Sequence, residues 1–369
     1  MPRRGEGFSA AWAPPVVGAP PRSGRTRTYA ASGVDLAGRD VALRALLAAA
    51  AYRAPASHGQ ALSAPGHYAG LVRLGGVTVA ITTDTVGTKV LLAEELGRWR
   101  EVGEDLVAIN VNDLASVGAR PAAVVDTVLC GTADPRRFRE IGAGLRRGLA
   151  AARCSLVGGE TALVAEIVSG LDLGATAVGF FPVGRRAILG RSIRPGDLLL
   201  GIPSSGLHAN GFTLVRRLLR EARVRLDGRR PGGRGPVGRE LLAPTRTYSE
   251  AADAAADVPG VVGLAHISGG GVRNLSRLHG RVSFSLEAWP TPPGLFSWVQ
   301  ELGGIDAREM YRTFNMGIGF VLVVRPGAEA AARRALARAG VRDALRVGAV
   351  TEGRGVDLPA LGLRYEGYA

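Results

Sequence analysis

Six short segments combine glycine with carboxylates, hydroxyls or a cation in patterns suited to phosphate chemistry. Thr83-Asp84-Thr85-Val86-Gly87-Thr88-Lys89 sets a carboxylate after a β-branched run, then a glycine turn, a hydroxyl and an ammonium. Mg²⁺ takes one or two carboxylates plus phosphate oxygens, while backbone N–H groups and a lysine neutralise the remaining phosphate charge. The spacing is not that of a Walker A loop, and an ordinary Asp-initiated turn is the plainer alternative. Residues 104–118 are largely apolar yet hold Asn110, Asn112 and Asp113. At helical period Leu106, Asn110, Asp113 and Val117 share a face, where a carboxylate needs a bond or a cation unless the face reaches solvent.

Residues 154–161 read as a short buried strand ending in Gly158, Gly159, Glu160 and Thr161. The glycines permit close backbone approach to a ligand and Glu160 offers a carboxylate for a metal or amine, with a β-turn as the alternative. Cys154 reads as a core residue. Ser204, Ser205, Gly206, His208 and Asn210 lie between a strand and a helix, where exposed amides and hydroxyls form an anion site. His208 is there a candidate acid/base or phosphate partner, or a structural histidine. Gly269 and Gly270 in Ser268-Gly269-Gly270-Gly271 repeat the strand–glycine–helix arrangement. Arg312 and Asn315 either fix a ligand or brace a domain interface.

The elements that must position these groups alternate in type. Strands are expected at 76–82, 122–129 and 175–181, with helices at 105–117 and 134–152. A turn at 194–197 restarts the rhythm: strands at 198–202, 282–286 and 318–324, helices at 212–223, 272–278 and 328–339. Alternation in both halves indicates an α/β (α+β) fold of two domains. Residues 1–28, rich in Pro, Gly and Arg, read as a disordered extension; 29–186 form an N-terminal domain and 187–369 a C-terminal one.

Composition narrows the function classes. The chain has 369 residues and a net charge of +14, of which residues 1–28 supply +4 and residues 216–240 supply +6. Neither basic segment has interleaved aromatics, which argues against nucleic acid. No apolar run approaches the roughly 18–20 residues of a membrane span, and no signal sequence is evident, so a cytoplasmic location is expected. Two cysteines, Cys130 and Cys154, cannot form a disulfide framework, and no Cys/His spacing suits zinc. Lys89 is the single lysine among 46 basic residues. In so arginine-rich a chain, a surviving lysine points to a task that a guanidinium cannot perform.

In order, YAASGVDLAGRD from Tyr29, TTDTVGTK, EDLVAINVNDL, CSLVGGETA, SSGLHANGFTLVR, LLAPTRTY, HISGGG and EMYRTFNMGIG resemble the phosphoribosylformylglycinamidine cyclo-ligase family over about nine-tenths of the chain. The resemblance implies two α/β domains, a homodimer whose N-terminal domains pair their sheets, and ATP with Mg²⁺. It implies ATP-dependent ring closure of formylglycinamidine ribonucleotide to 5-aminoimidazole ribonucleotide in purine biosynthesis. On the matching motifs, ATP falls to Asp84, Gly87, Thr88, Lys89, Asn112, Asp113 and residues 158–161. Mg²⁺ falls to Asp84, Asp113 and Glu160, and the substrate to the 204–210 and 269–270 loops. Lys89, Asp113 and His208 are the expected catalytic groups. Two departures stand out: Ala30 replaces a common lysine, and LVAEIVSGLDLG replaces the usual Met-Pro-Gly run. Thiamine-monophosphate kinases and selenophosphate synthetases share the architecture and are the alternative readings, with a non-catalytic basic nucleic-acid-binding protein behind them. The former lack the LLAPTRTY and EMYRTFN segments, and the latter usually need a cysteine earlier than Cys130.

Overall fold

Apolar residues at every second position make strand β6 (Leu171–Phe180) the centre of the first sheet: Leu171, Leu173, Ala175 and Ala177 all face inward. The computed structural model describes residues 36–52, 54–63 and 66–368; the expected arm, 1–28, and Tyr29 lie outside them. After helix α1 (Leu36–Ala49) come β1 (Gln60–Ala61), β2 (Gly70–Leu74) and β3 (Val77–Thr85), then helices α2 (Lys89–Leu96) and α3 (Arg100–Ala115). Strand β4 (Arg120–Cys130), helix α4 (Pro135–Ala152) and β5 (Ser155–Leu163) complete a sheet of order β1-β2-β3-β6-β4-β5. Only the β4–β5 pair is parallel, and α4 is the crossover that such a pair requires. Asp134 caps α4 by accepting the Arg136 N–H at 2.9 Å, and Pro135 occupies its first turn.

Helices α3 and α4 pack closely because glycines face the partner backbone. A Cβ on Gly144 would stand 2.0 Å from the Arg100 carbonyl oxygen, and one on Gly103 2.3 Å from that of Ile141. α3 then lies over one face of β3, β4 and β6. The opposite face keeps Ile81 and Val125 exposed.

The second sheet has the order β13-β12-β9-β11-β7-β10-β8. Its strands are β7 (Leu198–Pro203), β8 (Val261–His266), β9 (Val282–Ser285), β10 (Ile318–Val324), β11 (Leu345–Glu352), β12 (Gly355–Leu358) and β13 (Leu363–Tyr365). The helices are α5 (Phe212–Glu221), α6 (Val237–Leu241), α7 (Ser249–Ala256), α8 (Gly294–Gly303), α9 (Ala307–Thr313) and α10 (Glu329–Arg338). β10, Ile-Gly-Phe-Val-Leu-Val-Val, is buried throughout, as its unbroken apolar run requires. The α/β architecture is thus the expected one, and several boundaries move. Asp84 lies inside β3 instead of after it, α3 starts at Arg100, and residues 271–277 form a 3₁₀ helix. β5 is an exposed edge strand that runs through Gly158–Thr161, not a buried strand ending there.

The two halves are joined by polar side chains of α3 that the 243–248 segment satisfies. Lys89 Nζ lies 2.7 Å from Asp105 Oδ2 and donates to the Ala243 carbonyl at 2.8 Å, with both charged side chains fully buried. Asp105 Oδ1 accepts the Thr245 N–H at 2.8 Å and its hydroxyl at 2.5 Å. Asn112 donates to the Arg246 carbonyl at 3.0 Å and accepts the Tyr248 N–H at 2.7 Å. Burial alone pushes the lysine pKa down and the aspartate pKa up, and the mutual attraction with these bonds opposes both shifts. Removing one partner strands the other charge, which costs about 3–5 kcal/mol. Lys89→Ala and Asp105→Ala should each lose stability on that scale in urea denaturation, and Lys89→Met with Asp105→Leu should recover much of it. Equal stability of the parent and both single variants would show that the pair does not join the halves.

Candidate functional site

Strand β3 and helix α3 bring two carboxylates together at the edge of this joint. Asp84 stands at the open end of β3, its Oδ1 accepting the Thr85 N–H at 2.8 Å. Asn110, buried in α3, donates to the Leu106 carbonyl at 2.9 Å and reaches the Asp84 carbonyl at 3.4 Å, tying strand end to helix. One turn on, the half-buried Asp113 pairs through Oδ1 with Nδ1 of His266 at 2.9 Å. His266 is itself fixed, its N–H donating to Ser116 Oγ at 3.0 Å. Asp84 is open to solvent, yet protein crowds its carboxylate. That desolvation, then the charge of Asp113, push its pKa up to about 6. Two acids crowded so, with Arg277 near enough to favour ionisation, form a place for a cation.

Not every expected residue is here. Lys89 was expected on phosphate; its ammonium is instead sealed between α3 and the 243–248 segment, where no ligand reaches it. Asn112 was expected on ATP, but both ends of its amide hold the 246–248 backbone. Glu160 was expected to share the metal. Register aligns Thr85, Gly174, Thr127 and Glu160 across the sheet, so Glu160 lies three strands, about 14 Å, from Thr85. It also sits on the uncovered face with the exposed Thr127, opposite α3. Gly158, Gly159 and Thr161 share that exposed edge strand. Among the described residues, no group of three or more His, Cys, Asp or Glu is placed to hold a metal ion.

The same register exposes a residue that the sequence reading passed over. Asp84, Ala175, Asp126 and Gly159 form one row, which puts Asp126 about 10 Å from Asp84 along the α3-covered side. Burial pushes the Asp126 carboxyl up, and the space it uses exists because Gly159 has no Cβ, which would stand 2.1 Å from Asp126 Oδ1. A carboxylate between valines at alternating strand positions was the available signal.

The two glycine loops meet beside His266. β8 ends at His266 and leads into Ser268–Gly271, and a Cβ on Gly269 would lie 2.8 Å from Asn210 Oδ1, so the 204–211 loop abuts it. Ser204 donates to Asn315 Oδ1 at 3.0 Å and Ser205 to the Pro244 carbonyl at 2.5 Å, so both hydroxyls brace their own loop. Asn315 also donates to the Gly206 carbonyl at 2.9 Å, which makes it a loop brace. His208 was expected as an acid or base. It is fully buried at φ 61°, accepts the Ser205 N–H through Nε2 at 3.3 Å, and burial holds it neutral, well below the usual histidine range. It is a structural histidine.

The proximity of the two acids has a direct readout. The Asp84 carboxyl should titrate near pH 6 in the ligand-free protein, followed by carbon-detected NMR, and should titrate lower in Asp113→Asn. Because this folded-state pKa exceeds the unfolded value of about 4, Asp84 should cost stability as pH rises from about 4 to about 6. A parent titration at the ordinary carboxylate pH would remove the pairing.

The family model described as AIR synthase related protein, N-terminal domain, matches residues 66–181, and that of the C-terminal domain matches residues 194–359. The phosphoribosylformylglycinamidine cyclo-ligase of Methanothermobacter thermautotrophicus is 43% identical over 304 residues, 81% of this chain and 88% of that protein. That of Methanococcoides burtonii is 42% identical over 304 residues, 82% of this chain and 90% of that one. Among solved structures, AaThiL complexed with AMPPCP and TMP matches with a TM-score of 0.61 at 16% identity, over 90% of this chain and 96% of that chain, and so shares the fold. The chain belongs to the phosphoribosylformylglycinamidine cyclo-ligase family.

Proposed function

We propose that this protein closes the imidazole ring of formylglycinamidine ribonucleotide to 5-aminoimidazole ribonucleotide, consuming ATP and releasing ADP and phosphate. The amidine nitrogen bonds to the formyl carbon, whose oxygen leaves as phosphate after taking the γ-phosphoryl group. Catalysis of this kind rests on positioning and charge stabilisation. The observation that carries the reading is the Asp84–Asp113 pair, set beside two glycine loops in a chain over 40% identical to named cyclo-ligases.

Asp84 and Asp113 would hold Mg²⁺, and their fit is the mutual repulsion that a divalent ion relieves. When bound, the ion neutralises triphosphate charge. Gly87 and Thr88, which follow β3 directly, would border the triphosphate, as an ATP analogue is bound by the structural relative AaThiL. Asn210, Gly206, Gly269 and Gly270 would border the ribonucleotide, with Ser204 and Ser205 holding their loop in shape.

The uncovered sheet face, with Ile81 and Val125, supports a homodimer in which the N-terminal halves, 29–186, pair. Gly158 and Glu160 are in register with Val125 and Thr127 on that face, so they would meet nucleotide only across the pair. A cytoplasmic location accords with the absence, among the described residues, of any helix long and apolar enough to cross a membrane.

Asp84→Asn and Asp113→Asn should each lower kcat by at least about 100-fold with unchanged melting temperature, the scale expected for lost charge stabilisation at a reacting phosphate. Full turnover at ordinary Mg²⁺ in either variant would take that residue out of the site. Val125→Asp should convert a dimer to a monomer in sedimentation velocity. A monomeric parent would remove the pairing.

A further inference from the structure

The segment after β13 returns to the glycine loop at the end of β8. Its root is fixed: Tyr365 is buried and its hydroxyl donates to the Arg308 carbonyl at 2.7 Å. Beyond it, Tyr368 donates its hydroxyl to the Gly269 carbonyl at 3.2 Å. Its ring packs so tightly on the loop that a Cβ on Gly270, at φ 136°, would stand 2.9 Å from Tyr368 Cε2. Two guanidiniums flank that ring, Arg277 at 5.0 Å and Arg273 at 5.7 Å from its centroid. Arg277 keeps partners in the other half of the chain, stacking on Tyr68 at 4.3 Å and donating to the His67 carbonyl at 2.8 Å.

Arg273 is differently placed. It is half-buried, and its hydrogen bonds go to neutral carbonyls alone, Tyr368 at 3.0 Å and Gly270 at 3.4 Å. Arg312 is near enough to repel it, and Glu309, 4.0 Å from Arg312 Nη1, offsets only part of that charge. A guanidinium partly out of water, beside a second one and bonded only to carbonyls, is better satisfied by an anion that accepts two bonds at once. The backbone carbonyl of Tyr368 holds the position such an anion would take, next to the glycines already proposed to border the ribonucleotide.

We propose that residues 366–368 form a displaceable strap that occupies a phosphomonoester subsite built from Arg273, Arg312 and the Gly269–Gly270 backbone. Entry of the ribonucleotide 5′-phosphate displaces the Tyr368 carbonyl from Arg273 and lifts the ring off Gly270. Gly367, with nothing within 4 Å of the place of a Cβ, gives the strap room to turn above its fixed root. The strap lowers apparent affinity by the fraction of molecules in which it is seated. This inference rests on the proposed cyclo-ligase reading only for the identity of the ribonucleotide.

Ribose 5-phosphate, titrated calorimetrically, should bind a chain ending at Glu366 about 3- to 10-fold more tightly than the full chain, the scale of a mostly seated strap. Tyr368→Ala should show part of that gain in the intact chain, and Arg273→Ala should abolish it in both backgrounds. The KM for formylglycinamidine ribonucleotide should fall by the same factor with kcat unchanged. Unchanged or weaker sugar-phosphate binding in both the shortened chain and Tyr368→Ala would overturn the strap. Tighter sugar-phosphate binding without any ring closure would sustain the strap and defeat the cyclo-ligase reading. Ring closure with an unmoved KM would do the reverse.

Discussion

Helix α3 cannot be buried unless its polar side chains find partners, and that constraint shapes the rest of the molecule. Asp105, Asn110, Asn112 and Ser116 are all inaccessible to water. Apolar packing would tolerate many arrangements of two sheets, whereas each of these groups accepts only a matching donor or acceptor at bonding distance. Asp105 and Asn112 are met by backbone and side chains of 243–248, and Ser116 by the His266 N–H. The 243–248 carbonyls in turn hold Ser205, and so the loop that opens α5. Position thus passes from one helix to both glycine loops through short, directional bonds.

A second constraint is the asymmetry of the first sheet. Among the described residues, two helices on one side leave the other with threonines and exposed aliphatic side chains, and no strand pairs with the outer edge of β5. One-sided coverage is ordinary for a sheet whose pairs are antiparallel save one. Alternation along β5 sets Gly159 on the covered side, in one row with Asp84, and Gly158 and Glu160 on the other. Asp84 and Glu160 therefore lie on opposite faces and cannot converge on one ligand within a single chain.

Much of this was legible in the sequence. The order of motifs, the alternation of strand and helix, and β10 with its seven apolar residues followed from local pattern, since period and length already separate strand from helix there. The burial of β5 did not. Leu156 and Val157 read as a core strand, but edge position is decided by which strand pairs with which, and no local period encodes it. His208 shows the same limit: the loop sequence suits an anion site, and the ring points inward because its residue adopts a positive φ. Asp126 escaped notice because one acid among valines carries no motif.

Lys89 shows how a sound argument about residue type can reach the wrong environment. Its rarity marks a position where arginine does not serve, and that holds in the structure. A compact ammonium fits between Asp105 and the Ala243 carbonyl, whereas a planar guanidinium would bring further donors needing acceptors into a space that offers few. Phosphate oxygens and a buried carboxylate make the same demand on a cation, so composition cannot tell them apart. Burial does. With the lysine spent on joining the halves, the charge of the proposed triphosphate would fall to groups at the mouth of the joint, and there the chain supplies acids. Asp84, raised first by desolvation and then by Asp113, and tied by Asn110 and Thr85, is held beside a second acid before any ligand arrives. In the proposed reading, relief of that repulsion by a divalent ion would be a preorganised contribution to phosphate binding that needs no lysine.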